Sequence, residues 1–249
     1  MLDVHCHLYD EKYDDILTEA VASELSVIVN SGDCIDVIEK CKAMSDKFSN
    51  LYFSAGVHPH NAEKDKKKIS EIFHSINHPK CIGIGEIGLD YYYSFSEKNV
   101  QKSVFENQIK IAADNKKNMI IHSRNAEKEV YDILKEINSV NVLVHCYTGQ
   151  IEILEKMIEC KNFYFSIGGM ITFKKNQNII EILKLIPLSK LLVETDSPYL
   201  TPLPHRGKIN MPKYVEFIYL KISSILGINF PELDKLIEDN FKKFSGISL

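Results

Sequence analysis

Residues 81–86, Cys-Ile-Gly-Ile-Gly-Glu, form a short β-type run that ends in a carboxylate. Similar runs recur along the chain at a spacing close to the ~30 residues per unit of an eight-stranded barrel. This spacing is the strongest indication of the fold. Eight runs are present: Leu2 to His5, Ser26 to Asn30, Leu51 to Gly56, Cys81 to Glu86, Met119 to His122, Val142 to Cys146, Phe163 to Ile167 and Leu191 to Glu194.

Charged stretches with helical periodicity separate these runs. Alternation of strand and helix indicates a parallel sheet with helical crossovers, and eight units favour a closed barrel over an open doubly wound sheet. We therefore predict an α/β protein, a (β/α)8 TIM barrel, with a single domain over residues 1–249. The predicted helices are Asp36 to Phe48, Lys66 to Ile76, Ser96 to Lys116, Ala126 to Ile137, Gln150 to Cys160, Gln177 to Ile186, Pro212 to Leu226 and Pro231 to Phe244.

The composition limits the classes of partner. A formal charge of −4 and a pI near 6.1 argue against a protein that coats long nucleic acid, but not against an enzyme that grips one end. No apolar stretch approaches the ~20 residues of a membrane helix. The six cysteines are scattered and form no Cys-x-x-Cys pair. We expect a cytoplasmic protein with reduced thiols and no membrane partner.

Metal-binding side chains stand at the ends of the predicted strands, where barrel enzymes place their chemistry. Residues two apart in a strand face the same side, so His5 and His7 can reach one ion. An isolated His-x-His pair is common by chance, but six such side chains at five strand ends would be costly to bury without a cation. The six predicted ligands are His5, His7, Glu86, His122, His145 and Asp196.

Six ligands are more than one tetrahedral zinc needs, so the set predicts two divalent ions that share a bridging carboxylate. Glu86, near the middle of the ring of strands, is the candidate bridge. Imidazole and carboxylate without thiolate suit zinc, manganese or iron, and carboxylate-rich sites also accept magnesium. Cys6 and Cys146 each adjoin a ligand on the opposite face, and we interpret them as packing residues.

The chain resembles the TatD family of metal-dependent deoxyribonucleases, within the wider amidohydrolase-type barrels. The resemblance runs nearly from end to end, and the order and spacing of its motifs are specific. Met211 departs from the pattern, because the family more often has an acidic residue there. The matching motifs are Asp3-Val4-His5-Cys6-His7-Leu8, Gly56-Val57-His58-Pro59-His60, Gly85-Glu86-Ile87-Gly88-Leu89-Asp90-Tyr91, His122-Ser123-Arg124-Asn125-Ala126, His145-Cys146-Tyr147-Thr148-Gly149, Ser166-Ile167-Gly168-Gly169, Glu194-Thr195-Asp196-Ser197-Pro198 and Arg206-Gly207-Lys208-Ile209-Asn210.

The resemblance implies the same six metal ligands and hydrolytic removal of nucleotides from a DNA 3′ end with magnesium or manganese. In this hypothesis a metal-activated water attacks phosphorus, Asp196 is ligand and proton acceptor, and Glu86 holds the ions together. The expected partner is the 3′ end of single-stranded DNA, with RNA as an open alternative.

Substrate contacts are expected on the rim of the barrel. Arg124 could clamp a phosphate oxygen, and Arg206, Lys208 and Asn210 lie in the loop after the eighth strand, where barrels often bind phosphate. His60 is a further candidate contact. Asp90 and Glu194 are interpreted as supports for the ligands. Of Tyr91, Tyr92 and Tyr93, some could stack a terminal base and at least one is expected in the core.

Two other functions stay open at this point. An amidohydrolase-type enzyme would act on a C–N or ester bond, including the removal of a D-aminoacyl group from tRNA, with the same fold and metals. The 206–210 loop is the predicted discriminating feature, because a small-amide hydrolase would not require it. A metal-binding scaffold without catalytic activity is the third alternative.

Overall fold

The computed structural model describes residues 1–13, 16–21, 24–93 and 95–247. Eight strands pair in sequence order, each parallel to the next, so the predicted (β/α)8 barrel is confirmed. The strands are β1 (Leu2–Cys6), β2 (Val27–Ser31), β3 (Leu51–Ser54), β4 (Cys81–Asp90), β5 (Met119–Arg124), β6 (Val142–Val144), β7 (Phe163–Ile167) and β8 (Leu191–Val193).

Helices surround the strands. In the described part of the chain, none is long and apolar enough to cross a membrane. The α-helices are α1 (Leu17–Val21), α2 (Ile35–Lys47), α3 (Ala62–Asp65), α4 (Phe73–Ile76), α5 (Lys98–Asp114), α6 (Glu127–Leu134), α7 (Ile151–Glu159), α8 (Gln177–Leu185), α9 (Val215–Leu226) and α10 (Phe230–Ser245).

One helix prediction is wrong. Residues 66–76 form a turn, a 3₁₀ segment (Ile69–Ile72) and the short helix α4 instead of one helix. The carboxylate of Asp65 accepts a hydrogen bond from the backbone of Ile35 at 3.1 Å, which ties the start of this segment to α2. Because side chains three apart eclipse each other in a 3₁₀ turn, Ile69 and Ile72 are both buried. Tertiary anchoring therefore overrides the helical pattern here.

The barrel closes between β1 and the residues that follow β8. The N–H of Asp196 donates to the carbonyl of His5 at 3.0 Å, and the N–H of His7 donates to the carbonyl of Ser197 at 2.7 Å. The buried carboxylate of Asp3 reinforces this seam by accepting the backbone N–H of Thr195 at 2.9 Å. Closure therefore brings His5 and His7, at the end of the first strand, next to Asp196, which follows the last strand.

Strand β4 lies close against β5. Gly88 has φ +143°, and a Cβ atom at this position would lie 1.9 Å from the carbonyl oxygen of His122. Only glycine fits this backbone conformation and this approach. Because β4 carries Glu86 and β5 carries His122, the close approach sets these two side chains beside each other.

Candidate metal centre

Glu86 lies at the centre of a histidine cluster and is 3% exposed. Its Oε1 atom is 2.8 Å from His122 Nδ1 and 2.8 Å from His145 Nε2. The same oxygen is 3.3 Å from His58 Nε2. One carboxylate oxygen therefore faces three imidazoles that come from the ends of β3, β5 and β6.

The second oxygen of Glu86 faces another histidine group. Oε2 is 3.3 Å from His5 Nε2 and 3.7 Å from His7 Nε2. Asp196 completes this group, with its Oδ1 3.3 Å from His7 Nε2 and 3.9 Å from His5 Nε2. The structure thus brings all six predicted ligands together, with Glu86 between two sets.

The donor atoms in the cluster fit divalent metal ions. The ligand atoms of His5, His7 and Asp196 lie within 4.8 Å of one another, and so do those of His58, Glu86 and His122. The Nε2 atoms of His5 and His7 are 3.2 Å apart. Nitrogen and oxygen atoms that converge in this way, without thiolate, match the ligand chemistry of zinc or manganese.

Buried polar atoms without partners give a second test of this fit. Among the described residues, His5 Nδ1, His145 Nδ1 and Glu194 Oε1 are buried and make no hydrogen bond. Their side chains form a third group whose ligand atoms lie within 4.8 Å of one another. Buried polar groups normally have partners, so the arrangement is consistent with bound cations at this end of the barrel.

Glu194 and His58 extend the predicted set. Glu194 is interpreted from sequence as a support and His58 is not among the six predicted ligands, yet the structure places both among the candidate ligands. Glu194 follows directly on β8, and His58 lies two residues beyond the predicted run Leu51 to Gly56. The same strand-end criterion that selected His122 could therefore have selected them.

Burial and charge act in opposite directions on the ionisation of this cluster. Burial raises the pKa of Glu86, but the neighbouring His145, His58 and His5 outweigh it and hold the pKa well below its usual range. Burial lowers the pKa of His58 to about 4. Burial also acts to lower the pKa of His7, but the hydrogen bond to Asp196 and the charge of Glu86 outweigh burial and raise this pKa to about 9.

Asp90 holds two histidines of the cavity in position. It is fully buried, and its Oδ2 atom is 2.9 Å from His60 Nε2 and 3.0 Å from His122 Nε2. Its Oδ1 atom accepts the backbone N–H groups of Tyr92 at 3.0 Å and Tyr93 at 2.8 Å. A carboxylate that binds the second nitrogen of a candidate ligand fixes the orientation of that imidazole.

A cavity of about 940 Å³ opens above the cluster. Arg124 and His60, two of the predicted substrate contacts, line it, and Arg124 is the one lysine or arginine among its described lining residues. Arg206 and Lys208 are exposed in the loop after β8 and do not belong to this lining. The guanidinium carbon of Arg206 lies 3.9 Å from the centre of the Phe173 ring.

The side chain of Asn210 does not reach the cavity, which contradicts its prediction as a substrate contact. It is fully buried, and its amide nitrogen donates to the carbonyl oxygens of Thr195 at 3.0 Å and Tyr199 at 2.5 Å. Its oxygen accepts the N–H of Met211 at 2.9 Å. Because these bonds use its polar atoms, Asn210 fixes the backbone of the loop that carries Arg206 and Lys208.

The two cysteines beside ligands differ in their environment. Cys6 is buried and its thiol donates to the carbonyl of Val29 at 3.2 Å, in agreement with a packing role. The expectation that Cys146 faces away is wrong, because Cys146 lines the cavity. β6 ends at Val144, and Cys146 has φ +44°, so strand alternation no longer applies there.

A parallel barrel with histidines and carboxylates gathered at the carboxyl ends of its strands defines the class of metal-dependent barrel hydrolases. Residues 2–246 match the family model described as "TatD related DNase". The chain therefore belongs to the TatD family.

Relatives and solved structures agree with this family. The chain is 36% identical to the uncharacterized metal-dependent hydrolase YabD of Bacillus subtilis over 258 residues, with all of both chains covered. It is similar in structure to the TatD homologue YjjV of Escherichia coli, with a TM-score of 0.92 at 20% identity over 100% of this chain and 98% of that one. A TatD family hydrolase from Entamoeba histolytica gives a TM-score of 0.85 at 23% identity over 98% and 97% of the two chains. At these identities the two structures establish the fold.

Proposed function

We propose that this protein is a 3′–5′ exodeoxyribonuclease that acts on single-stranded DNA ends and uses two divalent metal ions, magnesium, manganese or zinc. The observation that carries the proposal is the position of Glu86 between two ligand sets, in a cavity with Arg124 on its wall. The direction of attack and the preference for DNA rest on the family resemblance, and hydrolysis of a labelled oligonucleotide tests the direction.

The two oxygens of Glu86 support the two-ion assignment. Oε2 with His5, His7 and Asp196 would hold one ion, and Oε1 with His122 and His145 would hold the other. Glu86 would thus contribute one oxygen to each ion, as a carboxylate shared by the two ligand sets of a two-metal hydrolase would. His58 and Glu194 lie close enough to support either ion.

The source of positive charge in the cavity changes when cations bind. Carboxylates of Asp33, Glu86, Asp90 and Asp196 line the cavity together with the guanidinium of Arg124, and the raised pKa values of His7, His122 and His145 add positive charge in the metal-free protein. Because a metal ligand must be a neutral imidazole, the positive charge that a phosphodiester needs would then come from the bound metal ions. With them, Arg124 can bind a phosphate oxygen through two N–H groups.

Bound divalent ions would supply positive charge to the phosphoryl oxygens and acidify the attacking water. With metal bound, the carboxylate of Asp196 would accept a proton from the attacking water, since it lies beside the first ligand set and its side chain is 16% exposed. Its pKa is lowered: burial acts to raise it, but His7 and the other imidazoles prevail, so the carboxylate is ionised at neutral pH. Asp90 keeps His122 and His60 in fixed orientations during the reaction.

Contacts to the rest of the strand involve the rim. His60 lines the cavity beside Arg124 and contacts the scissile phosphate or its sugar. Arg206 and Lys208 are exposed outside the cavity lining, so they contact phosphates farther along the strand. Exposed cations of this kind contribute affinity that falls as salt rises.

The test is hydrolysis of a 5′-labelled single-stranded oligonucleotide by the purified protein, with and without Mg²⁺ or Mn²⁺. We expect a ladder of products shortened from the 3′ end, dependent on metal and lost in Glu86→Gln. The exposed Glu216→Gln variant is a matched control that removes a carboxylate from α9. Release of the labelled 5′-terminal nucleotide without a ladder would overturn the proposal. A ladder that persists in Glu86→Gln would also overturn it.

The same preparation distinguishes hydrolysis of a C–N or ester bond. A D-aminoacyl-tRNA, a simple amide and a simple ester are each incubated in parallel with the oligonucleotide. Release of the amino acid without any shortening of DNA would assign the metal centre to the amidohydrolase-type alternative.

A further inference from the structure

Three exposed aromatic side chains stand at the edge of the metal cavity. Tyr92, Tyr93 and Phe95, here called the aromatic rim, are 57%, 40% and 68% exposed. The neighbouring Tyr91 differs, because its hydroxyl donates to Glu129 at 2.9 Å and its ring packs against the core. Large apolar side chains that are exposed together, beside a cavity, commonly mark a binding surface.

Tyr92 and Tyr93 of the aromatic rim are held by contacts with residues of the metal cavity. The backbone N–H groups of Tyr92 and Tyr93 bind Asp90, which also binds His122 of the metal centre. The guanidinium carbon of Arg124 lies 4.3 Å from the centre of the Tyr92 ring and 4.7 Å from that of Tyr93. One carboxylate and one guanidinium thus fix Tyr92 and Tyr93 relative to the metal cavity.

The rings present flat faces of the kind that nucleobases bind. Tyr93 and Phe95 are stacked with centroids 5.7 Å apart and an angle of 21° between planes. Phe95 also contacts His60, with centroids 4.8 Å apart, so the rim continues into the cavity without a gap. Base stacking on aromatic rings is strong and tolerant of sequence, because every base has a π face.

Arg124 and Tyr92 also line a second groove of about 690 Å³, together with Thr148 and Gln150 at the start of α7. The rim therefore stands between the metal cavity and this groove. A guanidinium that stacks on rings through its face keeps its N–H edge free for a phosphate. The group that can bind a phosphate therefore lies beside the rings that can stack a base, as phosphate and base lie beside each other in a nucleotide strand.

We infer that the aromatic rim is a stacking platform for unpaired bases at the end of the strand. This inference rests on the proposed function. A base that is paired in a duplex has its faces covered by its neighbours and would have to unstack before it reached Tyr93 or Phe95. The platform binds bases of any identity, because every base has a π face.

The experiment compares an oligothymidylate with the same strand in which the 3′-terminal units are abasic. Steady-state KM and kcat are measured for removal of the first nucleotide. We expect KM to be about 10-fold lower for the strand with bases, and this ratio to fall toward one in Tyr93→Leu and Phe95→Leu. Phe95→Tyr retains a ring and should keep the ratio. Phe73→Leu, an exposed aromatic on α4 outside the cavity lining, is the matched control.

The outcomes separate this inference from the proposed function. If neither strand is shortened, the nuclease proposal fails. If both strands are shortened with equal KM in the wild type, or if the leucine variants keep the preference, the nuclease proposal stands and the platform is wrong. A change of oligomeric state in the leucine variants, seen by sedimentation with an unchanged KM ratio, would assign the rim to a protein contact and overturn the inference.

Discussion

The backbone N–H of Asp196 donates a hydrogen bond of 3.0 Å to the carbonyl oxygen of His5. This bond joins the first strand to the segment after the last one, so it closes the barrel. Asp196 has φ +55°, a left-handed conformation that aspartate tolerates better than most residues. The chain turns there, and the carboxylate reaches His7 at 3.3 Å. Barrel closure and the candidate metal centre are therefore one structural feature.

Metal binding should release protons. The pKa of His7 is raised to about 9, because the hydrogen bond to Asp196 and the charge of Glu86 outweigh burial, so the metal-free protein holds this proton at neutral pH. A metal ion binds only the neutral imidazole, so affinity should rise with pH up to about 9. Calorimetric titration with Zn²⁺ or Mn²⁺ in two buffers of different ionisation enthalpy measures the released protons. Equal heats in both buffers would contradict the prediction.

Asp90→Asn should weaken metal binding without unfolding the protein. One oxygen of Asp90 binds His60 and His122, and the other accepts the N–H of Tyr92. An asparagine would place an NH₂ group either against the two imidazoles or against the N–H of Tyr92, so one of these contacts would be lost. Loss of such a partner typically costs about 10–100-fold in metal affinity or activity. Calorimetric metal titration gives the change. Asp239→Asn, on the exposed face of α10, is the control, and an unchanged affinity in Asp90→Asn would remove its assigned role.

The two arginines of the chain should differ in the substrates that they affect. Arg124→Ala should lower kcat/KM by about 10-fold or more for both an oligonucleotide and bis(p-nitrophenyl) phosphate, because it lines the metal cavity. Arg206→Ala should affect the oligonucleotide alone and reduce its salt dependence. Steady-state kinetics at two salt concentrations make the comparison. Equal losses with the small substrate would show that Arg206 also reaches the cavity.

Asn210→Ala should destabilise the fold by about 2 kcal/mol. The substitution leaves the buried carbonyl of Thr195 and the part-buried carbonyl of Tyr199 without a side-chain donor, and buried groups without partners cost about 1–3 kcal/mol. Lys208→Ala, in the same loop but exposed, should leave stability within about 0.5 kcal/mol of the wild type. Urea unfolding measures both. Equal midpoints in the two variants would show that the Asn210 bonds do not stabilise the loop.

The order of elements and the position of the metal centre followed from sequence. Eight β-type runs at regular spacing predicted the barrel, and the rule that barrels place chemistry at strand ends selected Glu86, His122 and the others. Both inferences depend on local pattern and chain order, which a sequence contains directly. Helix prediction failed at 66–76, where the contact of Asp65 with Ile35 decides the local structure.

Contacts between distant residues decided the rest. Asn210 is polar and lies between two cations in the sequence motif, yet its hydrogen bonds to Thr195 and Tyr199 turn it inward. Cys146 faces the cavity because a positive φ ends the alternation of its strand. Local pattern and chain order were enough to place the six predicted ligands at strand ends. Which oxygen of Glu86 faces which imidazoles is set by the folded structure, because side-chain rotamers and loop hydrogen bonds depend on packing between residues far apart in the chain.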